Sequence, residues 1–438
     1  MRGSWRGSLP HPSAKFRPAQ VGPAHASNPP VRFSVLIAPK PMPDLCVYFQ
    51  VHQPKRLLPC ELQKGRPFRE REDVGMNTEI LNTVAENCYL PVNRMFRELI
   101  NEHGGRFSFA LSISGTAIEQ MERYRPDVLD SFRELVAAGN VELLAETYHH
   151  SLAFAISNRE FERQVEAHLE VLETVFHIRP RVFRNSELIY DDSIAARAET
   201  MGFDGVLAEG LESNLKGASP NFLYRAPHTA RIKTLLRHTP LSDDIGFRFS
   251  DPSWIDHPLT APKFADWMAH CPGDLVNLFM GYEAIGQHQK TGTGIFRFWQ
   301  ALPEAVIEAG LQWVTPSEAV DLYRASRDYA CEKATSWTDG EHDLTAWMGN
   351  DMQQEAIAAV MSLERDALAS GDPVAIHNWA GMLASNHFHW MSTKGRIGSS
   401  SHSPLIPYPT PRDAFERYMC ALEALRDEIP SAAPRGNR

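Results

Sequence analysis

The sequence has little that would support a metal centre, a membrane anchor or a nucleic-acid interface. Its six cysteines are scattered without CxxC spacing, which argues against a zinc site or a dense disulfide framework and predicts buried reduced thiols. No uninterrupted apolar run approaches the ~20 residues that span a bilayer. The formal charge of −10 gives no basic field for a phosphate backbone or an anionic membrane. We therefore expect no nucleic-acid or membrane partner and a cytoplasmic location.

The composition is that of a globular protein with ample core material. The chain has 438 residues, of which 43% are hydrophobic and 22% charged, and its mean hydropathy is −0.33. This length accommodates one large domain and a smaller one.

Residues 1–41 differ from the rest. They contain many prolines, six Lys or Arg, no Asp or Glu, and no amphipathic period, which predicts a disordered segment. Its longest apolar patch, Phe33 to Ala38, is too short for a secretory signal. Two interpretations remain open: an N-terminal extension such as a transit peptide, or a mis-assigned start with Met42 as the initiator.

From Cys46 onward, short β-rich apolar runs alternate with segments of helical period, a pattern typical of parallel sheets built from βα units. About seven runs suggest a closed barrel more than an open sheet. The predicted strands are Cys46 to Val51, Phe107 to Ser114, Val141 to Ala145, Arg181 to Ser186, Gly205 to Ala208, Leu275 to Met280 and Gln312 to Thr315.

One connecting segment shows why helices should cover the strands. Val128, Leu129, Phe132, Leu135 and Val136 form a single apolar stripe at helical spacing. After residue 316 the strand pattern stops, and the remainder reads as helices. We therefore predict an α/β fold with an incomplete (β/α)7 barrel over residues 42–325, followed by an all-helical C-terminal region over 326–438.

Polar residues follow most of the predicted strands. Chemistry in a βα barrel sits at the carboxyl ends of the strands, so these residues are the first candidates for a site. An isolated strand-end carboxylate is nevertheless more often a helix cap or an ion-pair partner, at about two in three. The candidates are His52, Glu146, His149, Glu187, Glu209 and Glu283.

The adjacent His149 and His150 raise the question of a metal site. No HExxH motif or matched carboxylate spacing accompanies them. A neutral imidazole that orients a carboxylate or a sugar hydroxyl fits the pattern better. We therefore predict no metal and no cofactor.

Five short motifs in order give the chain a family resemblance. Together with supporting segments they extend from Met42 to about Leu425, and they resemble glycoside hydrolase family 57, the alpha-amylase-like enzymes that act on alpha-glucans. Several ordered matches are more specific than any single motif. The motifs are VHQP at His52, GNVELLAETYHHSL from Gly139, FRNSELIYDD around Glu187, LFMGYEAIGQHQ around Glu283, and ASNHFHWMSTK around His387.

The resemblance implies a retaining mechanism with two carboxylates ~5 to 5.5 Å apart. It identifies Glu187 as the nucleophile. The family usually has its general acid/base Asp at position 281, where this chain has Gly281. Glycine cannot donate a proton, and loss of a general acid typically removes about 10² to 10⁴ in rate.

Two residues are candidates for a substitute acid. Glu283 shares a strand face with position 281, but two residues along a strand correspond to ~6.5 Å, which is too far without a bulge or a different substrate pose. Asp244, beside Asp243, could reach the cleft from a loop. A second departure is Asn386, where the family commonly has Asp, and an amide cannot carry a negative charge.

Aromatic residues near the motifs suggest stacking surfaces for sugar rings. Tyr148, Tyr190, Trp254 and Trp390 are the candidates, whereas Trp337 and Trp347 read as ordinary core packing. The predicted substrate-binding set is His52, Glu146, His149, Tyr190, Trp254, His387 and Trp390.

The sequence supports two functional hypotheses. The first is hydrolysis or transglycosylation of alpha-1,4-glucans or maltooligosaccharides, with Glu187 as nucleophile and Glu283 or Asp244 as substitute acid. The second is an alpha-glucan-binding protein that has lost catalysis. They differ in whether a carboxyl group lies about 5 to 6 Å from Glu187. An unrelated barrel enzyme would require the five ordered motifs to arise by chance.

Overall fold

The computed structural model describes residues 42–325, 327–394 and 407–430. The predicted disordered extension, residues 1–41, lies outside the described residues. All described residues belong to one compact unit, and the proposed division at residue 325 stays a prediction.

Two sheets form the centre of the fold. One has the order β3-β2-β1-β8 with every pair parallel, and the other has the order β4-β5-β7-β6-β9, in which only β6 and β7 are antiparallel. The parallel α/β class is thus confirmed. The strands are β1 Asp44–Val51, β2 Phe109–Ile113, β3 Val141–Leu143, β4 Val182–Arg184, β5 Gly205–Glu209, β6 Leu223–Arg225, β7 Lys233–Arg237, β8 Leu275–Gly281 and β9 Arg327–Asp328.

The two sheets contact each other on both sides. Just beyond β3, Ala145 forms a parallel bridge with Phe183 of β4. Just beyond β7, the backbone N–H of His238 donates to the carbonyl of Asn277 in β8 at 2.7 Å. Side chains from both sheets also meet in one buried apolar cluster, so the sheets face a common interior.

Strand β1 shows how this interior leads to a polar end. Leu45, Val47 and Phe49 pack with the outer helices, whereas Cys46 and Tyr48 belong to the interior cluster. Successive strand residues point to opposite faces, so the next interior position is residue 50. That residue is a buried glutamine, which begins the polar region at the carboxyl ends.

Helices surround the strands. The predicted stripe is confirmed, since its five residues are the buried side chains of α5. The helices are α1 Cys60–Gln63, α2 Val74–Val84, α3 Leu90–Glu102, α4 Gly115–Tyr124, α5 Pro126–Ala137, α6 Ala153–Ile156, α7 Asn158–Phe176, α8 Asp192–Thr200, α9 Glu212–Leu215, α10 Thr239–Asp243, α11 Ala261–Ala269, α12 Ile295–Glu308, α13 Pro316–Leu322, α14 Thr345–Met348, α15 Asp351–Ser362, α16 Glu364–Ser370, α17 Pro373–Gly381, α18 Ser385–Trp390 and α19 Pro411–Glu428.

Six of the seven predicted strands are confirmed, one is wrong, and three observed strands, β6, β7 and β9, were not predicted. Gln312 to Thr315 is not a strand, because only Trp313 bridges to β1, through Leu45. The sequence reading missed β7, whose apolar core is only Thr234 to Leu236 between basic residues. The ammonium of Lys233 at its start is bonded to the carbonyls of Val320 and Tyr323, so the charge is satisfied at the strand's edge.

The C-terminal region is mostly helical in the described residues. Its one departure is the two-residue strand β9, which pairs with β6. Side chains from α15, α17 and α19 share a buried cluster with Phe183 and Val206 of the second sheet. No helix in the described residues is long and apolar enough to cross a membrane.

The thiol prediction is wrong for two of the six cysteines. Cys60 and Cys420 form a disulfide between α1 and α19, with Cα atoms 5.8 Å apart, while Cys46, Cys88 and Cys331 are free. Their separation of 360 residues leaves no local spacing for a sequence argument to detect. The bond fastens the last helix beside the segment that follows His52.

We expect the disulfide to stabilise the fold. Replacing Cys420 by Ser should lower the free energy of unfolding by about 2 to 5 kcal/mol, because the unfolded chain loses a long-range constraint. Chemical denaturation without reductant measures this difference. The control is Cys271→Ser, which replaces a half-buried cysteine outside this disulfide and should change stability by less than about 1 kcal/mol. Equal effects of the two substitutions would contradict the assignment.

Candidate functional site

The carboxyl ends of the strands carry an unusual density of buried polar side chains. Gln50, Ser112, Arg184, Glu209 and Arg237 come from five different strands, and each is at most 7% exposed. Buried polar groups of this kind are normally hydrogen-bonded to one another. Glu209 is an ion-pair partner, as expected for most strand-end carboxylates, because its carboxylate accepts from the Arg237 guanidinium at 3.0 Å.

Glu187 lies in a tight turn directly after β4. Residues Ser186–Leu188 form a 3-10 turn in which Glu187 has φ 54° and ψ 26°, and Leu188 has φ 51°. Left-handed backbone costs about 1 to 3 kcal/mol for a non-glycine residue and concentrates at functional sites. The turn holds the Glu187 side chain against the end of the interior, where it is 1% exposed.

Trp337, Ser385 and His150 are among the neighbours of the Glu187 carboxylate. Trp337 Nε1 donates to Oε2 at 3.1 Å, and Ser385 Oγ donates to Oε1 at 3.2 Å. His150 Nε2 lies 3.4 Å from Oε1. Hydrogen bonds to the ionised form favour a carboxylate over a carboxylic acid. These contacts fix the orientation of a buried side chain that could otherwise adopt several rotamers.

Glu146 and His150 form the second layer of this network. His150 Nδ1 lies 2.5 Å from Glu146 Oε2, Ser112 Oγ donates to Glu146 Oε1 at 2.8 Å, and Arg184 Nη1 lies 3.8 Å from Oε2. Burial alone would raise the pKa of Glu146, but the positive charges of His150 and Arg184 outweigh it and lower this pKa to about 2.

His150 lies between two carboxylates and an amide. Burial alone would lower the pKa of His150, but the carboxylates of Glu146 and Glu187 outweigh it and raise this pKa above its ordinary value. Gln50 Nε2 also lies 3.1 Å from His150 Nε2, and Gln50 Oε1 accepts from Arg184 Nη2 at 2.6 Å, so this amide donates to a ring nitrogen that carries no proton. No group of three or more His, Cys, Asp or Glu within the described ranges is arranged to hold a metal ion.

His52 is the neutral histidine of the site. Its ring stacks on that of His150 with centroids 4.5 Å apart. His52 Nε2 donates to Asn386 Oδ1 at 2.8 Å, and Ser114 Oγ lies 2.7 Å from Nδ1. Burial and the neighbouring His150 hold the pKa of His52 well below its usual value. The amide of Asn386 suits this neutral ring, since it accepts a hydrogen bond without a charge.

A cavity that is partly open to solvent lies beside this network. Trp337 links the two, because its indole N–H holds Glu187 while its ring lines the cavity. The lining combines aromatic surfaces with a few polar groups, as small-molecule sites usually do. It comprises Gln50, His52, Pro54, Arg56, Arg237, Ser242, Gly246, Phe247, Met280, Gly281, Glu283, Ala284, His288, Trp337, Asn386 and Trp390.

Gly281 sits on the cavity wall in an ordinary backbone conformation. It pairs with Gln50 across β1 and β8, and its φ of −64° and ψ of 142° suit any residue. A Cβ added at this position would lie 3.4 Å from Glu283 Oε2. The backbone therefore does not require glycine here.

The position of Glu283 corrects the strand-based argument against it. The strand ends at Gly281, and Tyr282–Ala284 turns into a 3-10 segment, so the ~6.5 Å spacing of an extended chain does not apply. The turn brings the Glu283 carboxylate beside the vacant side-chain position. Its Oε1 accepts from the Tyr89 hydroxyl at 2.5 Å, and the side chain lines the cavity.

Asp244 is not among the residues that line the main cavity. Its carboxylate pairs with Arg248 at 2.7 Å, and burial raises its pKa although Arg248 opposes the shift. Asp243 instead accepts from Arg237 Nη2 at 2.5 Å. Both aspartates are thus bound to arginines.

The predicted substrate-binding residues divide between several places. Trp390 and His52 line the main cavity, and Glu146 lies in the buried network behind it. His149 and His387 line a second cavity of about 440 Å³. Tyr190 is fully buried against Tyr329, and Trp254 packs near Trp267.

Sequence reasoning missed several residues of the site. Trp337 was interpreted as core packing, yet it contacts both Glu187 and the cavity. Arg184 and Arg237 occupy interior strand positions, as Gln50 does. A period-two count backward from the predicted strand end at Ser186 would have found Arg184, because alternate strand residues share a face. Arg237 had no such signal, since its strand β7 was not predicted. Arg56 follows the VHQP motif outside any predicted strand, so strand periodicity could not have predicted that it lies in the site.

Gly281→Ala tests whether the site tolerates a side chain at this position. The substitution should change the free energy of unfolding by less than about 1 kcal/mol, because the backbone is unstrained. Gly286→Ala is the matched control: Gly286 has φ +94°, and its Cβ would lie 2.0 Å from the Asn87 carbonyl oxygen. Thermal or chemical denaturation should show a much larger loss for the control. A comparable loss for Gly281→Ala would contradict this geometry.

Glu146→Gln tests the buried charge network. Removing one partner of a buried ion pair should cost about 3 to 5 kcal/mol at pH 7. Because the pKa of Glu146 is lowered to about 2, its contribution is complete above the unfolded value and is lost as the pH falls toward 2. The stability difference between native protein and variant should therefore shrink between about pH 5 and pH 2.

The control for this pH dependence is Glu416→Gln, which removes an exposed i,i+4 partner of Arg412. It should cost less than about 1 kcal/mol. A Glu146→Gln difference that is independent of pH would show that the lost contacts are not electrostatic.

Comparisons with known proteins agree with the motifs. The sequence profile described as Glycosyl hydrolase family 57 matches residues 46–330. A Methanocaldococcus jannaschii protein named "Putative alpha-amylase" is 39% identical over 387 residues, which cover 85% of this chain and 82% of that protein.

Solved structures share the fold at low sequence identity. The GH57-type branching enzyme of Pyrococcus horikoshii has a TM-score of 0.61 at 16% identity and covers 80% of this chain and 86% of its own. The alpha-amylase AmyC of Thermotoga maritima has a TM-score of 0.56 at 13% identity, with coverages of 89% and 95%. The profile match and the 39% identical relative show that the chain belongs to glycosyl hydrolase family 57.

Proposed function

We propose that the protein is a retaining glycoside hydrolase or transglycosylase of the alpha-amylase type that acts on alpha-1,4-linked glucans. The observation that carries this proposal is the Glu187 carboxylate, which is buried, held by Trp337, Ser385 and His150, and placed on a strained turn beside a cavity. Relatives named as an alpha-amylase, a branching enzyme and a 4-alpha-glucanotransferase favour alpha-glucans as the substrate class.

In the proposed mechanism, Glu187 attacks the anomeric carbon while an acid protonates the departing glycosidic oxygen. The bond from the anomeric carbon to this oxygen breaks, and a glycosyl ester to Glu187 forms. Water or a second sugar hydroxyl then attacks the ester, and the same acid, now a base, removes its proton. The acceptor decides between hydrolysis and transfer.

We assign the acid role to Glu283. Its Oε2 lies 3.4 Å from the position that a Cβ at residue 281 would occupy, and its side chain lines the cavity. Asp244 is a weaker candidate, because it pairs with Arg248 outside the lining. Glu283 can thus present a carboxyl group where residue 281 cannot.

The alternative is an alpha-glucan-binding protein with impaired catalysis. Gly281 has no titratable group, and Asn386 replaces a family carboxylate with an amide. Glu187 is only 1% exposed, with Trp337 bonded to its carboxylate, so the anomeric carbon would reach it only after Trp337 shifts. These observations are the support for the alternative of binding without efficient turnover.

We further propose that seven strands close into the incomplete (β/α)7 barrel. The order would be β1, β2, β3, β4, β5, β7 and β8. The Ala145 to Phe183 bridge and the His238 to Asn277 hydrogen bond support closure at the two joins. Closure would place Glu187 and Glu283 at one end of a common interior.

Product formation from maltoheptaose and from an activated aryl alpha-glucoside tests this proposal. Glu187→Gln should abolish turnover of both substrates. Glu283→Gln should lower turnover of maltoheptaose by about 10² to 10⁴, because a sugar leaving group needs protonation. The same variant should affect the aryl glucoside far less, since a good leaving group departs without an acid.

Asp244→Asn is the matched control and should retain most of the native activity on maltoheptaose. If Asp244→Asn is as damaging as Glu283→Gln, the assignment of Glu283 is wrong. If the native protein is silent but Gly281→Asp is active, the alternative holds and the protein is a disarmed glycosidase that binds alpha-glucan.

A further inference from the structure

Arg56 is a fully buried cation on the wall of the main cavity. It is 0% exposed, and it lines the same cavity as Asn386 and Trp390. Its backbone N–H donates to Asn77 Oδ1 at 2.9 Å, and its Nη1 donates to the Pro54 carbonyl at 2.9 Å. The bond to Asn77 involves only the backbone of Arg56. The bond to Pro54 uses only Nη1 of the guanidinium.

The rest of the guanidinium has no hydrogen-bond partner in the part of the chain that the structure describes. There, Arg56 Nε and Nη2 are buried without an acceptor. Within the described ranges, no Asp or Glu carboxylate lies within 4.0 Å of this side chain, although Asp73 acts on it from farther away. Residues 1–41, 326, 395–406 and 431–438 contain no Asp or Glu at all. An acidic side chain of this chain therefore does not complete the Arg56 site.

This arrangement is costly. Arg184 Nε and Nη1 are also buried without a hydrogen-bond acceptor among the described residues, but Glu146 lies 3.8 Å from that guanidinium, whereas Arg56 has no carboxylate so near. A buried charge normally requires both a counter-charge and hydrogen bonds. Arg237, on the same cavity, pairs with Glu209 at 3.0 Å and with Asp243 at 2.5 Å. Burial lowers the pKa of Arg56 to about 10, which leaves it positively charged at neutral pH. Arg56 is thus a cation in the cavity wall that no carboxylate of the described residues neutralises. Because its side chain is 0% exposed, a ligand reaches the guanidinium only after neighbouring side chains shift.

We propose that Arg56 recognises an anionic substituent, a phosphate monoester or a carboxylate, on the alpha-glucan that occupies this cavity. The free Nε and Nη2 donors form one edge of the guanidinium fork, which matches two oxygens of either group. A neutral sugar hydroxyl would satisfy a donor but leave the charge uncompensated. The inference rests on the proposed function, because it assumes that an alpha-glucan enters this cavity.

The remaining charges on the wall are compatible with this ligand. The Glu283 carboxylate already accepts from Tyr89, and Arg237 is neutralised by its two carboxylates. Trp390 and Trp337 offer flat surfaces for sugar rings, and Asn386 offers an amide for hydroxyls. Arg56 then distinguishes a modified glucan from an unmodified one.

Calorimetric titration of the full chain with two matched pairs of ligands tests this proposal. The pairs are maltose 1-phosphate against maltose, and maltobionate against maltitol, which differ in the presence of a phosphate or a carboxylate. At least one anionic ligand should bind about tenfold or more tightly than its neutral partner, as expected for charge-assisted hydrogen bonds. The pair that shows the preference identifies the anionic group.

Variants then assign the preference to Arg56. Arg56→Met should bring the affinities within each pair to within about threefold of each other. Arg69→Met, which removes the same charge from a side chain that is 80% exposed in the same segment, should leave the preference unchanged. If Arg56→Met does not fold, Arg56→Lys decides, because loss of the fork should reduce the preference.

Three results would overturn the proposal: affinities within threefold in both native pairs, a preference that survives Arg56→Met, or a preference unchanged in Arg56→Lys. If the neutral ligands bind without an anionic preference, only this inference fails, and the proposed function stands. If none of the four ligands binds, the proposed alpha-glucan function fails with it.

Discussion

Four ionisable side chains, Glu146, His150, Arg184 and Glu187, are buried within a few ångströms of one another at the end of the strand interior. Each would be prohibitively costly to bury alone, so each depends on the others for its charge state. The Arg184 guanidinium and the His150 ring lie against the two carboxylates. The network therefore constrains the surrounding structure, which must hold Ser112, Trp337 and Ser385 at hydrogen-bonding distance.

Because of this constraint, the buried network can form whether or not residue 281 carries an acidic side chain. The buried network contains Glu187, and its hydrogen bonds and ion pairs do not involve residue 281. A glycine at this position therefore leaves the network's partners in place, while the turn after β8 holds the Glu283 carboxylate beside it. A chain with this arrangement can keep the fold of its family whether it turns over glucans or only binds them.

The sequence predicted those strands and helices whose apolar pattern matches the faces that they bury in the fold. Six predicted strands and the α5 stripe appear as expected, because buried parallel strands are continuous apolar runs and covering helices have one apolar face. Strand β7 was missed because basic residues flank a short apolar core, and Gln312 to Thr315 was overpredicted because its apolar pattern contributes only one bridge. The Cys60 to Cys420 disulfide joins residues that only the tertiary fold brings together.

The site was predictable to the extent that strand-end carboxylates mark it. Glu146 and Glu187 were found this way. Arg184 and Arg237, which lie within strands, and Trp337, which lies in a distant loop, were not. The reach of Glu283 was misjudged because a turn replaced the assumed strand. The most direct test of the account is mass spectrometry after incubation with 5-fluoro-alpha-glucosyl fluoride, whose fluoride leaves without an acid. The account predicts one covalent fluoroglucosyl group on the peptide containing Glu187; an adduct elsewhere, or none although maltoheptaose binds, would contradict Glu187 as a working nucleophile.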